Sequence, residues 1–466
     1  VVSQNGTVIG DKYYRLETVY DMGDVSGVKA NGHYAVDGGA GFEIEDTLVN
    51  NTIGYKTITY RFWAKFKDPY SGKNYCENGA PDTSITIYLN PTPVLTIDIG
   101  DTIYCDDSQL TINPTTGNGN VIGQKGYVLT TDYSAGDVSG VPSNGFHTLP
   151  DLDFTLSNES NALQTIKFTF RPVFRNPFSG QVYCQNGRDT VITVYLNPTP
   201  KFTVQVPDTI CDSTMTTFDL TSQNGLVHGD KYFYIETTAS GSVSGIQSNG
   251  YYPFDDFIDT LINNTNDYQT IEYHITPIFW DSGTDLPFCE NGEDTTIIIN
   301  LNPTPKIEVS IDDTIYCDLS DVIFDVNSPN GNVIGDIYYN LNTTNIPGTV
   351  DGVTNPPEYA LAPDYGFTNS LVNKSDSFQI ITYHFKAKFK LDGSDLCSNG
   401  VDTTINIYIN PTPVLDVQIA DTLFCDTAEV DFELIDRTGK VLGDKYYYVE
   451  TSFSPLLEGI QPTGYY

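Results

Sequence analysis

Thr190-Val-Ile-Thr-Val-Tyr-Leu-Asn-Pro-Thr-Pro200 is the stretch whose reading decides the fold. Ile192, Val194 and Leu196 alternate with polar or edge-facing neighbours, the period of a strand with one buried face. Pro198 and Pro200 then stop it, because proline donates no ladder hydrogen bond. The tetrapeptide Asn-Pro-Thr-Pro starts at Asn90, Asn197, Asn302 and Asn410, at intervals of 107, 105 and 108 residues. Alternating runs precede every copy, at 84–90, 191–197, 296–302 and 404–410. That period exceeds a solenoid repeat and fits one complete domain per repeat.

Working outward, each run follows a Cys-x-Asn-Gly, at Cys76, Cys184, Cys289 and Cys397. Each Asn-Pro-Thr-Pro leads to a Cys-Asp, at Cys105, Cys211, Cys317 and Cys425. Glycine opens an early strand at Gly10, Gly123, Gly229, Gly335 and Gly443, with Tyr within four residues. A longer strand shows the clearest alternation: Tyr60, Phe62, Ala64 and Phe66, then Phe168, Phe170, Pro172 and Phe174, then Tyr273, Ile275, Pro277 and Phe279. Pro172 and Pro277 predict edges or bends there. No helical period appears, and Gly, Asn, Asp and Pro clusters separate the runs. Roughly seven strands in about 100 residues is the arithmetic of an immunoglobulin-like sandwich. The expectation is an all-β chain of tandem sandwich domains, beads on a string.

The first residues match the segment around Gly225, and the last match the segment ending at Tyr252. Both partial repeats hold the Gly-Asp-Lys-Tyr segment, so they overlap and do not complement each other. The expected division is a partial module at 1–93 lacking its first strand, complete modules at 94–200, 201–305 and 306–413, and first strands only at 414–466. The chain then reads as a window on a longer array. Its Asn-Pro-Thr-Pro links are stiff, so adjacent beads are spaced as a semi-rigid rod.

Among 466 residues, 60 Asp and Glu outweigh 23 Lys and Arg, a net charge of −37. Such a surface repels a phosphate backbone and excludes nucleic acid as a partner. Aromatics at 12% argue against disorder, since they can build cores. No apolar run is long enough for a membrane-spanning helix.

The sequence carries no hydrolase, zincin or phosphate-loop motif, so no catalytic residue and no cofactor is expected. Of His33, His147, His228, His274 and His384, only the last two share a repeat position, which Arg61 and Thr169 fill elsewhere. A base so replaceable reads as a wet-face residue. Asp106-Asp107 and Asp312-Asp313 offer oxygen ligands but no EF-hand spacing, and read as solvated charge with no metal. Trp63 and Trp280 lie on the polar face of their strands and read as local packing, Arg171 and Lys386 covering the equivalent surface elsewhere. The basic stripe Arg61, Lys65, Lys67 and Lys386, Lys388, Lys390 is expected to pair with neighbouring acidic residues.

Eight cysteines, two per period, read as disulfides in an oxidising compartment; a zinc site is a poor fit without Cys-x-x-Cys. In a sandwich, the Asn-Gly cysteine lies in the loop before the last strand and the Cys-Asp cysteine in the first turn, at opposite ends. Within one bead they stand beyond disulfide reach, whereas across a junction they meet. The favoured register is therefore Cys105–Cys289 and Cys211–Cys397, with Cys76, Cys184, Cys317 and Cys425 pairing across other junctions or beyond this window, Cys184 with the early Cys missing from the first, partial module. A within-bead register, Cys105–Cys184, Cys211–Cys289 and Cys317–Cys397, stays open.

Taken together, Gly-Asp-Val-Ser-Gly-Val from Gly23 and Gly136, Asp-Thr-Leu-x-Asn-Asn-Thr from Asp46 and Asp259, Tyr-Cys-Glu-Asn-Gly at Cys76 and the following Ile-Tyr-Leu-Asn-Pro-Thr-Pro resemble the PKD-like, Ig-like tandem modules of secreted Bacteroidetes surface proteins. The resemblance covers the whole chain. It implies an extracellular scaffold or adhesin, including those moved in gliding, exported by the type IX system. It also implies O-glycosylation at Asp-Ser/Thr followed by a small or apolar residue: Thr47, Thr102, Thr190, Thr209, Ser213, Thr260, Thr295, Thr314, Thr403, Thr422 and Thr427. The plainer reading is that Asp-Thr turns the chain and starts a strand.

The functional expectation is a structural or adhesive filament or stalk at the cell surface, not an enzyme. Its partners are the other modules of the same long chain, and a surface or polysaccharide ligand. The rivals are a carbohydrate-binding module array, which predicts equivalent exposed aromatics in every bead, and a spacer of a secreted hydrolase.

Overall fold

The computed structural model describes residues 6–36, 43–76, 83–150, 152–254, 257–354, 359–360 and 365–466. Every regular element among them is a strand. They gather into two compact units: Val1–Phe202 with Ser222–Tyr232 and Pro277–Glu293, and Thr203–Thr221 with Phe233–Thr276 and Asp294–Tyr466.

The first unit holds one complete pair of sheets. A four-stranded sheet runs Val138–Ser139, Leu152–Asn158, Ser108–Thr115, Thr96–Ile99. A six-stranded sheet runs Gly145–Thr148, Gln124–Asp132, Gln164–Arg175, Thr190–Leu196, Ile103–Tyr104, with Val182–Cys184 also on Gln164–Arg175. Neighbours are antiparallel except Ile103–Tyr104, which lies parallel to Thr190–Leu196 with Ile103 opposite Tyr195. The leading strand thus changes sheets partway. Asp101 makes the corner: its Oδ1 accepts the N–H groups of Thr102 at 2.6 Å and Ile103 at 3.2 Å. Between the sheets, Leu110, Ile112 and Leu156 meet Tyr127, Leu129, Ile166, Phe168, Phe170, Val194 and Leu196, all buried. Each such side chain contributes about 1.5–3 kcal/mol on burial.

The second unit repeats this plan. Its smaller sheet runs Glu308–Ser310, Ser320–Asn327, Tyr365–Asn373, Val350–Asp351. Its larger sheet centres on Gln379–Leu391, flanked by Asp336–Thr344 and Asp402–Ile409, and ends on the parallel strand Ile315–Tyr316. Val322, Phe324 and Val326 face Tyr339, Leu341, Ile381, Tyr383, Phe385 and Ile407. The strands from Phe202–Gln205 to Thr295–Asn302 pair in the same two orders. In these, Phe218 of the smaller sheet and Tyr273 of the larger bring their rings to 4.8 Å. The chain is all-β, its Ig-like paired sheets set in tandem.

Two expectations need correcting. Each pair of sheets has more segments than seven, because the leading strand breaks at its corner and short bridges such as Val138–Ser139 and Val182–Cys184 add pairings. And Pro172 lies in a central, buried strand. One neighbour of that strand, Thr190–Leu196, pairs only as far as Phe170; the next, Val182–Cys184, begins at Phe174. Proline's missing N–H falls in the gap. Pro277 sits in the same gap, between Ile275 and Phe279.

The glycine that opens each early strand has a steric cause. Gly123 has φ +110°, and a Cβ there would stand 2.8 Å from the carbonyl oxygen of Arg175. Only glycine takes that backbone without strain.

Candidate functional site

Among the described residues, no cluster of His, Cys, Asp and Glu is placed to hold a metal. Among the described residues, no helix is long and apolar enough to cross a membrane. The polar chemistry that recurs is at the Asn-Pro-Thr-Pro links.

Asn197 is fully buried. Its Nδ2 donates to the carbonyl of His228 at 2.9 Å, and its Oδ1 accepts the His228 N–H at 2.8 Å. That two-point clasp ties the end of one strand to the backbone of the next repeat. Asn90 grips Ile122 with 2.9 and 2.8 Å bonds. Asn302 grips Ile334 at 3.0 and 2.9 Å, and Asn410 grips Leu442 at the same distances. An amide suits this role because it presents one donor and one acceptor side by side.

A second asparagine returns the grip. Asn224 Oδ1 accepts the Lys201 N–H at 2.7 Å while its Nδ2 donates to the Thr199 carbonyl at 2.9 Å. Asn118 and Asn330 do the same to the links at Thr92–Val94 and Thr304–Lys306. Thr438 replaces this asparagine after the fourth link, and its hydroxyl accepts only the Val414 N–H.

The aspartate of Cys-Asp completes the joint. Asp106 accepts the Asn158 N–H at 2.6 Å and the Thr199 hydroxyl, while its carbonyl accepts from Asn291 Nδ2 at 3.1 Å. Asp212 holds Asn263, Thr304 and Asn399 in the same way, and Asp318 holds Asn373 and Thr412. So Asp106 is not the solvated charge its sequence suggested; the N–H groups of Asn158 and Asp107 and the Thr199 hydroxyl all donate to its carboxylate. Its neighbours Asp107, Ser213, Leu319 and Thr427 all have φ near +60°, which for Leu319 is a strained backbone.

Beside this joint lie the disulfides. Cys105 bonds Cys289 with Cα atoms 5.6 Å apart, and Cys211 bonds Cys397 at the same spacing. Cys76, Cys184, Cys317 and Cys425 are free thiols. Asn197 Nδ2 approaches the Cys289 sulfur at 3.8 Å and Asn302 Nδ2 the Cys397 sulfur at 3.9 Å, so the clasp and the disulfide share one asparagine. Burial pushes the Cys184 thiol pKa up, against an opposing hydrogen bond from Asn90.

The remaining candidates fall elsewhere. Thr102, Thr314 and Thr422 follow corner aspartates whose Oδ1 accepts their N–H. Thr47, Thr102, Ser213, Thr260, Thr314, Thr422 and Thr427 are exposed; Thr190, Thr209, Thr295 and Thr403 are half-buried. Trp280 stacks on Tyr232 at 5.2 Å and donates to Asp285; Arg15 sits 5.0 Å over Trp63. Lys388 and Lys390 both reach Asp395, and Lys390 also covers Tyr338. His274 contacts Thr296 and Asp294, and His384 contacts Thr404, on the outer face.

The clasping asparagines were missed from sequence, where the links were read through their prolines. A signal existed: Asn stands at the head of all four links, and Asn-Gly recurs at 118, 224 and 330.

No family model matches the chain, and no curated protein matches it. Among solved structures it is similar to invasin, a bacterial integrin-binding protein, at 13% identity over 90% of this chain and 76% of that one, with a TM-score of 0.29. It is also similar to the Escherichia coli adhesin FdeC, at 15% identity over 67% of this chain and 96% of that one, TM-score 0.27. A third likeness is to the D1–D4 ectodomain fragment of ICAM-5, at 9% identity over 78% and 85%, TM-score 0.31. At such values no functional argument rests on them.

Proposed function

We propose that this chain is part of an extracellular structural or adhesive filament, made of tandem β-sandwich modules near 1–93, 94–200, 201–305, 306–413 and 414–466. The observation that carries the reading is the joint. Each Asn-Pro-Thr-Pro link is clasped by asparagine, and at two of them a disulfide spans the link as well. A pull along the chain loads these joints, and a joint of buried amide clasps plus a covalent bond resists both bending and separation.

Disulfides of this kind persist in oxidising compartments, which supports a place outside the cytoplasm. The acidic surface keeps neighbouring filaments apart. The resemblance to Bacteroidetes surface modules supplies the finer parts: export by the type IX route, a role in adhesion or gliding, and glycans on the exposed Asp-Thr sites such as Thr47, Thr260 and Thr314. Sugars there would mask the sheet faces and add solubility.

Electron microscopy of native molecules released from cells tests the reading. A thin beaded thread supports it. A short stalk carrying one globular head contradicts it and moves the function to that head.

A further inference from the structure

Asn118, Asn224 and Asn330, which return the grip on three of the links, share a second property: glycine follows each of them. An Asn-Gly pair is open to deamidation, because glycine has no Cβ to keep its peptide nitrogen away from the asparagine side chain. The fourth joint has Thr438-Gly439 in the same place, with no amide to lose.

A closed joint blocks the reaction at both reacting atoms. The three asparagines are buried, and both ends of each amide are held by the link. The glycine N–H is engaged as well: Gly119 donates to the Ile53 carbonyl at 2.8 Å, Gly225 to Asn161 at 2.8 Å and Gly331 to Asn266 at 3.0 Å. Return bonds from the N–H groups of Tyr55, Leu163 and Tyr268 to the carbonyls of Asn120, Leu226 and Asn332, each 2.7 Å long, fix the chain just beyond. At two joints the carbonyl of the Asn-Gly peptide itself accepts from lysine, Lys125 Nζ at 2.7 Å and Lys231 Nζ at 2.6 Å. Space does not demand glycine at 119 or 225. A Cβ would come no closer than 3.7 Å to Ile53 and 3.4 Å to Ala162, which is ordinary contact.

We propose that Asn118, Asn224 and Asn330 are deamidation sites gated by the joints. A closed joint keeps its amide; an opened joint loses it and cannot return to the original clasp. The glycine nitrogen gives up its proton and bonds to the asparagine Cγ, and Nδ2 leaves as ammonia, closing a five-membered imide. Water then cleaves one of the two imide C–N bonds, leaving aspartate or isoaspartate. One water is consumed, one ammonia is released, and no oxidant or reductant enters. The new carboxylate is ionised at neutral pH and has no hydrogen to donate. At position 224 it would face the Thr199 carbonyl oxygen that Nδ2 had bonded. Each of these joints thus carries a chemical record of having opened. The site stands on the clasp geometry and goes beyond the filament reading, so a globular head in electron micrographs would leave it standing.

The test incubates the oxidised full chain in 18O-labelled water at neutral pH, with and without urea, and follows each Asn-Gly by mass spectrometry of its peptides. A synthetic peptide of residues 220–230 sets the unprotected rate. In the native chain Asn224 should convert roughly a hundredfold more slowly than in that peptide, from three bonds at about fivefold each. Unfolding in urea should bring it to the peptide rate. Asn197→Ala releases the other clasp of the same joint and should speed Asn224 at least about tenfold. Asn330 should keep its native rate in that variant, which also shows that the variant is folded. Gly119→Ala should slow Asn118 severalfold in urea while leaving the native chain intact. Conversion of native Asn224 at the peptide rate overturns the proposal, as does an Asn197→Ala chain in which Asn224 is no faster. An equal rise at Asn224 and Asn330 also overturns it, since protection would then belong to the whole fold and not to the joint. An unchanged Asn118 rate in Gly119→Ala overturns the imide route.

Discussion

Two sandwiches in this chain solve the same packing problem with opposite chemistry. In the sheets from Thr96 to Leu196, Leu110 lies opposite Phe154, and the Phe154 and Phe168 rings pack at 5.6 Å. In those from Phe202 to Asn302, the same three places hold Thr216, Asp259 and Tyr273. There the Tyr273 hydroxyl donates to Asp259 at 2.6 Å, and Asp259 also accepts the Gln247 N–H at 3.2 Å. A third solution appears at Asn369, whose amide donates to the Tyr383 hydroxyl at 2.7 Å. Asp46 and Tyr60 repeat the acid–phenol pair. The acid–phenol and amide–phenol groups thus enter these cores in pairs, while the buried Thr216 hydroxyl beside Asp259 makes no hydrogen bond among the described residues. A lone phenol or carboxyl would carry its full desolvation cost, whereas a matched set or an apolar set does not.

The largest expected effect breaks one partner. Asp259→Ala strands the Tyr273 hydroxyl and the Gln247 N–H, and should destabilise its sandwich by about 3 kcal/mol in denaturant unfolding. Adding Tyr273→Phe and Thr216→Leu, with Phe in place of Asp259, should recover most of that loss, because the chain already uses that set at 110, 154 and 168. A triple variant as unstable as the single one would show that the pairing is not what matters.

Next in size is the clasp. Asn197→Ala removes a buried donor and acceptor at once and should cost about 2 kcal/mol. Thr438 already lacks the second half of its grip, so Thr438→Ala should cost about 1 kcal/mol or less. Equal losses at both places would contradict the two-point geometry.

A third effect depends on pH. Burial is the main cause that raises the Asp259 pKa above its usual range, with the Tyr273 and Gln247 bonds opposing. Its folded-state pKa therefore lies above the unfolded value. Between the two, the folded state keeps a proton that the unfolded chain has lost. The stabilisation is fully present below the usual carboxylate range and is lost as pH rises through the folded value. Asp259→Asn, the solution used at 369, should flatten that part of the pH–stability curve. The Thr96–Leu196 sandwich should lack this slope at Phe154. The smallest effect should come from Arg171→Ala: its bidentate pair with Asp189 is half-exposed, and its loss should cost under about 1 kcal/mol.

The sequence made the fold class legible because three signals coincide: strand alternation, prolines that end each strand, and glycines at φ values no other residue takes easily. It misled where a local rule met tertiary context. Pro172 obeys the rule against interior proline only because two neighbouring strands leave a gap beside it. The joints were half legible. Cysteine spacing and sandwich topology pointed to the links. The asparagine and aspartate side chains there were not, because their partners across the joint lie 23 to 187 residues away and no local pattern announces them.

The central claim is that successive sandwiches are held together covalently across their links. Stretching single molecules by the segments flanking 105 and 397 tests it most directly. With Cys105–Cys289 and Cys211–Cys397 closed, the shortest covalent path between those points runs back from 289 to 211, so only 78 residues extend, about 270 Å at roughly 3.5 Å each. Reduction should release all 292 residues and about 1,000 Å. Within-bead pairing would leave 55 residues and about 190 Å instead. An oxidised extension near 270 Å is the predicted result, and one near 190 or 1,000 Å would contradict it.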